Sequence, residues 1–129
     1  DICDMPFEDN YFDFILCNHV LEHIEDDKKA MEELYRVLGD NGTAILQVPI
    51  DLEKKRTYED FNVKTKKERM DKFGQYDHVR IYGLDYFSRL EKVGFHVEKN
   101  KYATSFNKDE IKKFSIVEKE IIPVCKKLI

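Results

Sequence analysis

A short apolar run constrains what this chain can fold into more than any other feature. Residues 12–17 read Phe-Asp-Phe-Ile-Leu-Cys and end abruptly in the polar pair Asn18-His19. An apolar run without period-two alternation is typical of a strand buried on both faces of a parallel sheet. Ligands of open α/β sheets bind outside the carboxyl ends of such strands. The run therefore predicts a buried strand that places Asn18 and His19 at a ligand site.

A helix and a second strand follow this run. Asp26 is a suitable N-cap for a helix over residues 27–38. Its apolar residues recur at helical spacing: Ala30, Met31, Leu34, Val37 and Leu38. Residues 39–42, Gly-Asp-Asn-Gly, predict a turn, and residues 43–49 predict a second buried strand. A strand–helix–strand unit of this length has parallel strands and a right-handed connection.

The rest of the chain is less regular. Residues 50–82 are rich in charge and predict a functional loop or insert, with a short helix over 66–73 that Gly74 ends. Beyond it the pattern predicts an amphipathic helix over 84–93, a half-exposed strand over 95–99, a helical turn over 107–114 and a last strand over 118–127. Pro123 inside that last strand requires an edge position or a bulge.

Composition narrows the class of protein. The chain has 129 residues, at most one ordinary domain, and no apolar run approaches the length of a membrane span. Its net charge of −4 argues against nucleic-acid or membrane partners. Cys3, Cys17 and Cys125 lie in or beside apolar segments, which favours buried free thiols in a reducing compartment. Without a secretory pattern, we expect a cytoplasmic protein.

Five segments in register carry a family likeness. They are Asp1-x3-Met5-Pro6-Phe7, Tyr11-Phe12-Asp13-x-Ile15, Asn18-His19-x-Leu21-Glu22-His23, Glu33-x2-Arg36-Val37-Leu38, and the stretch from Gly83-Leu84 to Val93-Gly94-Phe95. Together they resemble the class I S-adenosylmethionine-dependent methyltransferases, of the type 11 kind. The resemblance implies a Rossmann-like α/β fold whose mixed, mostly parallel sheet carries the family's strands four, five, seven and six, flanked by helices. Residues 1–129 would form a single partial domain, with residues 50–82 as its acceptor-side loop.

Part of the family's pattern is missing. The family binds its cofactor with a glycine-rich turn after the first strand, but the five glycines here never have G-x-G spacing. The resemblance therefore implies that the sequence starts at the tip of the family's third strand. The family's seventh strand lies antiparallel between the fifth and sixth, where Pro123 would fall, so we expect a local bulge there.

The resemblance also assigns a cofactor site. Asp1 would accept a hydrogen bond from the adenine amino group of S-adenosylmethionine, and the backbone of Ile2 or Cys3 would contact the edge of the ring. Asn18 and His19 would lie near the methionine part and the sulfonium. Alternatively, Asp1 is a frayed terminus.

Acceptor-side roles follow in the same way. His19 and His78 are the candidate catalytic bases, and His78, Arg80 and Tyr82 are the candidate substrate-binding residues. Either histidine can instead be a structural hydrogen-bonding residue. Arg80 can instead form a surface ion pair with Asp77 or Asp85.

A competing motif is present in the same segment. His19-Val20-Leu21-Glu22-His23 satisfies H-x-x-E-H, the zinc signature of inverted metalloproteases. That chemistry needs both histidines on one face of a continuous helix. Here the motif spans the junction between a strand and a helix, so zinc proteolysis is disfavoured and no metal is expected.

Two functions are consistent with these observations. The first is the C-terminal part of an enzyme that transfers a methyl group to a small-molecule acceptor, inactive as the chain stands because the cofactor turn is absent. The second is a non-catalytic interaction module. Without the family's first strand, residues 12–17 would form an unpaired apolar edge, which predicts a homodimer or a swapped assembly.

Overall fold

The computed structural model describes residues 1–101, 107–113 and 120–128, which form an α/β fold. Its strands are β1 (Phe12–Asn18), β2 (Leu38–Gln47), β3 (Tyr58–Glu59), β4 (Arg80–Ile81), β5 (His96–Asn100) and β6 (Ile122–Lys126). Its helices are α1 (Asp27–Val37), α2 (Lys66–Phe73), α3 (Tyr86–Val93) and α4 (Lys108–Lys113), with a 3-10 helix at Leu21–His23. Residues 114, 118 and 119, which the predictions included, lie outside the described residues.

The main sheet has the strand order β1-β2-β6-β5. β1 and β2 are parallel, whereas β6 is antiparallel to both of its neighbours. This is the order that the resemblance implied, with the last strand between the second and the fifth, so the predicted fold class is confirmed. β3 and β4 form a separate two-stranded sheet within residues 50–82.

The bulge expected at Pro123 is absent from the described strands. β6 pairs with β5 in unbroken register, Lys99 lying opposite Pro123. On the other side, the pairing of β6 with β2 stops at Val124, opposite Ile45. The missing N–H of Pro123 therefore falls where β2 no longer pairs, and the strand needs no distortion.

The predicted turn at residues 39–42 is instead a bulge inside β2. Leu38 lies opposite Phe12 and Thr43 opposite Phe14, so residues 39–42 face only Asp13. The bulge is held from the C-terminal end, because the N–H of Asn41 donates to the carbonyl of Lys127 at 2.7 Å. A Cβ at Gly42 would lie 2.7 Å from the carbonyl oxygen of Gly39, so a larger residue would force the bulge open.

β1 is not buried on both faces, as the apolar run predicted. Cys17 is buried, but the side chains of Phe14 and Leu16 are 55% and 60% exposed. The face of β1 that carries Cys17 packs on the core with α1 and α3, whereas no described element covers the face that carries Phe14 and Leu16. The predicted strand is therefore present, but the prediction that both of its faces are buried is wrong.

Both amphipathic helices pack where their spacing predicted. Ala30, Met31, Leu34 and Val37 of α1 are buried, as are Tyr86, Phe87 and Leu90 of α3. The side chain of Asp26 caps α1 by accepting from the N–H of Lys29, and Gly74 ends α2 with a left-handed φ of 79°. Cys17 and Cys125 are buried free thiols, as predicted, whereas Cys3 is only partly buried. Burial raises the pKa values of Cys17 and Cys125 to about 11 and about 12. Among the described helices, none combines the length and the apolar character that crossing a membrane requires.

A pair of charges fastens the N-terminal loop to α1. Glu33 accepts from the N–H of Met5 at 2.8 Å and from the guanidinium of Arg36 at 2.7 and 2.9 Å. Arg36 donates in turn to the carbonyls of Met5 and Phe7 and to the carboxylate of Asp9. These bonds explain the Glu33-x2-Arg36 motif physically, since they hold the loop that carries Asp1.

This pair predicts a pH-dependent contribution to stability. The hydrogen bonds from Arg36 and Met5 lower the pKa of Glu33 from 4.5 to about 2. A carboxyl whose pKa falls on folding stabilises the fold above the unfolded value and loses that contribution as the pH falls. We expect Glu33→Gln to lower the midpoint of urea unfolding at neutral pH, and the difference from wild type to shrink between pH 4.5 and about 2.

The matched control is Glu32→Gln. Glu32 is on the same helix, but its side chain is half exposed, and its ion pair with the exposed Lys28 is long, at 3.7 Å. Exposed pairs of this kind contribute little. A Glu33→Gln effect that is equal to the control, or that is unchanged in acid, would contradict the proposed fastening.

Candidate functional site

The carboxyl end of β1 opens into a cleft. Asn18 is the last residue of the strand, and His19 follows with a left-handed φ of 54°. The N–H of His19 donates to the carbonyl of Gln47 at 2.8 Å, which fixes the backbone at this turn. The side chain of His19 is 58% exposed and lines a cleft of about 370 Å³ with Pro49 and Ile50. The structure thus places His19 in the wall of an open cleft, and the cofactor role of Asn18 and His19 stays a prediction.

The predicted adenine-binding residues lie in the N-terminal loop. Asp1 is exposed, and its Oδ1 accepts from the N–H of Cys3 at 2.9 Å. The backbone donor of Cys3 is therefore already used inside the loop, which leaves Ile2 as the predicted donor to the ring. The thiol of Cys3 lies 3.6 Å from the carbonyl of Asp26, so this loop sits beside the start of α1.

A second cleft, of about 230 Å³, contains His78 and shares Pro49 and Ile50 with the first. The rings of His78 and His23 meet edge to face, with centroids 4.7 Å apart. The N–H of Val79 donates to the carbonyl of Glu22 at 2.9 Å, which brings the two segments together. One ligand atom from each of Glu22, His23 and His78 lies within 4.8 Å of the others.

The two candidate bases, His19 and His78, both lie close to the carboxylate of Glu22. Nδ1 of His19 lies 3.5 Å from Oε2 of Glu22, beyond an ordinary hydrogen bond. Burial, and then the nearby His23, lowers the pKa of His78. A neutral imidazole can accept a proton, so His78 meets one requirement for a base. The sequence reasoning placed Glu22 and His23 in the family likeness and in the protease motif but gave them no site role, although their position after a strand end was a usable signal.

Arg80 belongs to the wall of the second cleft, but its side chain is bonded internally. Its side chain is fully buried, and four of the five guanidinium N–H donors have partners. It donates to the carboxylate of Glu59 at 2.9 Å and to the carbonyls of Leu21, Ile24 and Glu25. The alternative of a surface ion pair with Asp77 or Asp85 is wrong, because the acidic partner is Glu59.

Tyr82 has a similar internal position. It is fully buried, and its hydroxyl donates to Asp27 at 2.6 Å. Burial, together with the neighbouring Asp27 carboxylate, raises its pKa well above the usual range. Arg89 completes the cluster with bonds of 2.8 Å to Asp27 and to Glu59. This geometry favours a structural role for Arg80 and Tyr82 over the contact with an acceptor that the resemblance implied.

The protease motif does not form the helix that its chemistry needs. The 3-10 helix covers only Leu21–His23, and His19 lies before it with a positive φ. Glu22 and His23 instead face His78, which comes from beyond α2. The sequence argument against zinc proteolysis is supported by this backbone.

Comparison with known proteins finds a likeness to methyltransferases in the N-terminal third of the chain. A family model described as a methyltransferase domain matches residues 1–46. A relative, ajmaline N-methyltransferase of Rauvolfia serpentina, is 39% identical over 46 residues, which are 36% of this chain and 16% of that protein. The matched segments span less than a third of each curated relative.

Solved structures extend the likeness over the whole chain. A proposed methyltransferase of Bacillus halodurans has a TM-score of 0.60 at 18% identity, covering 100% of this chain and 76% of that one. An S-adenosylmethionine-dependent methyltransferase of Mesorhizobium loti has a TM-score of 0.65 at 12% identity, covering 98% and 66%. At these identities the structures show the fold alone. The predicted resemblance to the class I methyltransferases is confirmed by the family match and the shared fold.

The role of Arg80 can be tested through stability. Arg80→Met removes one of the two guanidinium donors to Glu59 and the side-chain donor to three carbonyls, so we expect a loss of about 3–5 kcal/mol in the free energy of unfolding. Urea denaturation followed by circular dichroism measures it. Arg69→Met is the control, because Arg69 is partly exposed and lies 3.9 Å from its acidic partner Glu25. If Arg80→Met unfolds at the same urea concentration as the control, Arg80 is free for a ligand and not structural.

Proposed function

We propose that this chain is the acceptor-side part of a methyltransferase that transfers a methyl group from S-adenosylmethionine to a small molecule. The family match over residues 1–46 carries the proposal, because it includes Asp1, Asn18 and His19. When bound, the cofactor supplies a methyl group on a sulfonium, which carries the difficult part of the chemistry. The protein's own contribution is then to position the two reactants and to handle a proton.

The clefts support a small-molecule acceptor. Their volumes, about 370 and 230 Å³, suit a metabolite rather than a polymer. His19 lines the first cleft and His78 the second, and the two clefts share a wall at Pro49 and Ile50. A base on either histidine would therefore face an acceptor held against that wall. The net charge of −4 supports the absence of nucleic-acid and membrane partners, and we propose a cytoplasmic location.

The chain fits the cofactor only in part. The exposed carboxylate of Asp1 suits an exocyclic amine, and the exposed Asn18 suits a polar cofactor tail at the end of β1. The donor of Cys3 is already used by Asp1, and the sequence has no G-x-G turn. We infer that residues 1–129 by themselves hold such a cofactor weakly.

Isothermal titration with S-adenosylmethionine tests this division. We expect residues 1–129 to bind it no more tightly than about 1 mM, because isolated side-chain contacts do not offset the cost of ordering the ligand. Asp1→Asn is the companion variant, and it should change this weak binding little. Micromolar binding by the chain alone would overturn the proposal that it is inactive by itself.

A second candidate, an interaction module, is favoured by the exposed edge of the sheet. Phe14 and Leu16 of β1 project from a strand that has no partner on its outer side among the described residues. An unpaired apolar edge is a template for pairing with another strand. We propose that two copies of the chain pair through β1, as a homodimer or a swapped assembly.

Light scattering after size exclusion tests the pairing. We expect the wild-type chain to elute as a dimer, and Phe14→Lys with Leu16→Lys to elute as a monomer, because charges on an edge strand oppose pairing. Met70→Lys is the control, since Met70 on α2 is 48% exposed but remote from the edge. A wild-type monomer at high concentration would count against the module.

A further inference from the structure

Glu22 has a buried carboxyl group that no hydrogen bond satisfies. Its side chain is only 2% exposed, neither oxygen has a hydrogen-bond partner, and Nδ1 of the exposed His19 lies 3.5 Å from Oε2. These are the only such buried side-chain oxygens within residues 1–101, 107–113 and 120–128. Nearby polar groups are satisfied, as the bonds of Arg80 and Tyr82 show. A buried carboxylate without partners is costly, so its retention needs a reason.

The surroundings of Glu22 are those of a metal ligand. Ligand atoms of His23 and His78 lie within 4.8 Å of its carboxylate and of each other. The position of His23 also supports a metal site, because its Nδ1 lies 3.0 Å from the carbonyl oxygen of Asp77. Histidines that bind metals almost always donate their other N–H in this way, which fixes the ring and leaves the second nitrogen as the ligand.

We propose that Glu22, His23 and His78 bind a divalent transition-metal ion. Two imidazoles and one carboxylate suit zinc, manganese or iron, whereas magnesium prefers ligands that are all oxygen. Metal–ligand bonds of about 2.0–2.2 Å need the three groups to approach slightly. His23 and His78 are only half-buried and can make that adjustment. The earlier expectation of no metal followed from the protease motif, which pairs His19 with His23 and does not include His78.

Three protein ligands leave coordination positions open, as in metal sites that bind substrate. The second cleft, which Glu22 and His78 line, is where these positions would face. We infer that the ion holds an oxygen or nitrogen atom of the methyl acceptor. This last step alone depends on the proposed function, whereas binding of the ion does not.

Titration of the full chain with zinc tests the site directly. We expect one zinc ion per chain, and cobalt bound in its place should give the visible absorption of a nitrogen-ligated centre. Glu22→Gln and His78→Ala should each weaken zinc binding by about tenfold or more. His96→Ala is the control, because His96 is exposed on β5 and should bind zinc as wild type does. Magnesium at the same concentration should not bind.

Thermal unfolding gives a second readout that does not rely on affinity. Without metal, Glu22→Gln should melt at a higher temperature than wild type, because it removes an unsatisfied buried charge. At the same concentration, zinc should raise the melting temperature of wild type and of His96→Ala by more than that of Glu22→Gln.

Zinc binding that Glu22→Gln and His78→Ala leave unchanged would overturn the site. So would the absence of stoichiometric binding by the folded wild-type chain. Both measurements are made without S-adenosylmethionine, so failure of the metal site and failure of the methyltransferase proposal are distinguishable.

Discussion

The buried guanidinium of Arg80 is the interaction on which the arrangement of this chain most depends. It joins the backbone carbonyls that follow β1 to Glu59, which lies in the insert of residues 50–82. A buried charge stabilises a fold only when its partners are all in place, so these segments cannot separate without a large cost. Arg89 on α3 repeats the connection through Asp27 and Glu59. The charged insert is therefore held against the segment after β1 by hydrogen-bonded ion pairs.

This fixed wall explains the contrast with Glu22. The same backbone contacts that satisfy Arg80 bring Val79 against the carbonyl of Glu22 and set the carboxylate beside His78. Arg80 has hydrogen-bond partners for nearly all of its donors, whereas the oxygens of Glu22, the residue after its partner Leu21, have no hydrogen bond. A fold that satisfies one buried charge so fully and leaves its neighbour unsatisfied has kept that neighbour for a ligand, since functional sites retain local cost of this kind.

Sequence reasoning succeeded where the cause of structure is local. The span of α2 and the buried face of α1 follow from spacing and capping, and the strand order followed from the resemblance. It failed where distant residues decide. Asp-Asn-Gly favours a tight bend in a turn and in a bulge alike, and only the contact with Lys127 selects the bulge. The internal role of Arg80 depends on partners 21 to 59 residues away, which no local pattern shows.

The position of the family match adds one further step. It covers residues 1–46, so it includes Glu22 and His23 but ends before His78 and Arg80. The cluster of Glu22, His23 and His78, and the contacts of Arg80 with the carbonyls after β1, therefore each combine residues of the matched segment with residues of the insert. Under the proposed function, the cofactor contacts come from the matched segment. The choice of acceptor would then depend on residues 50–82, because these supply side chains that complete the cleft.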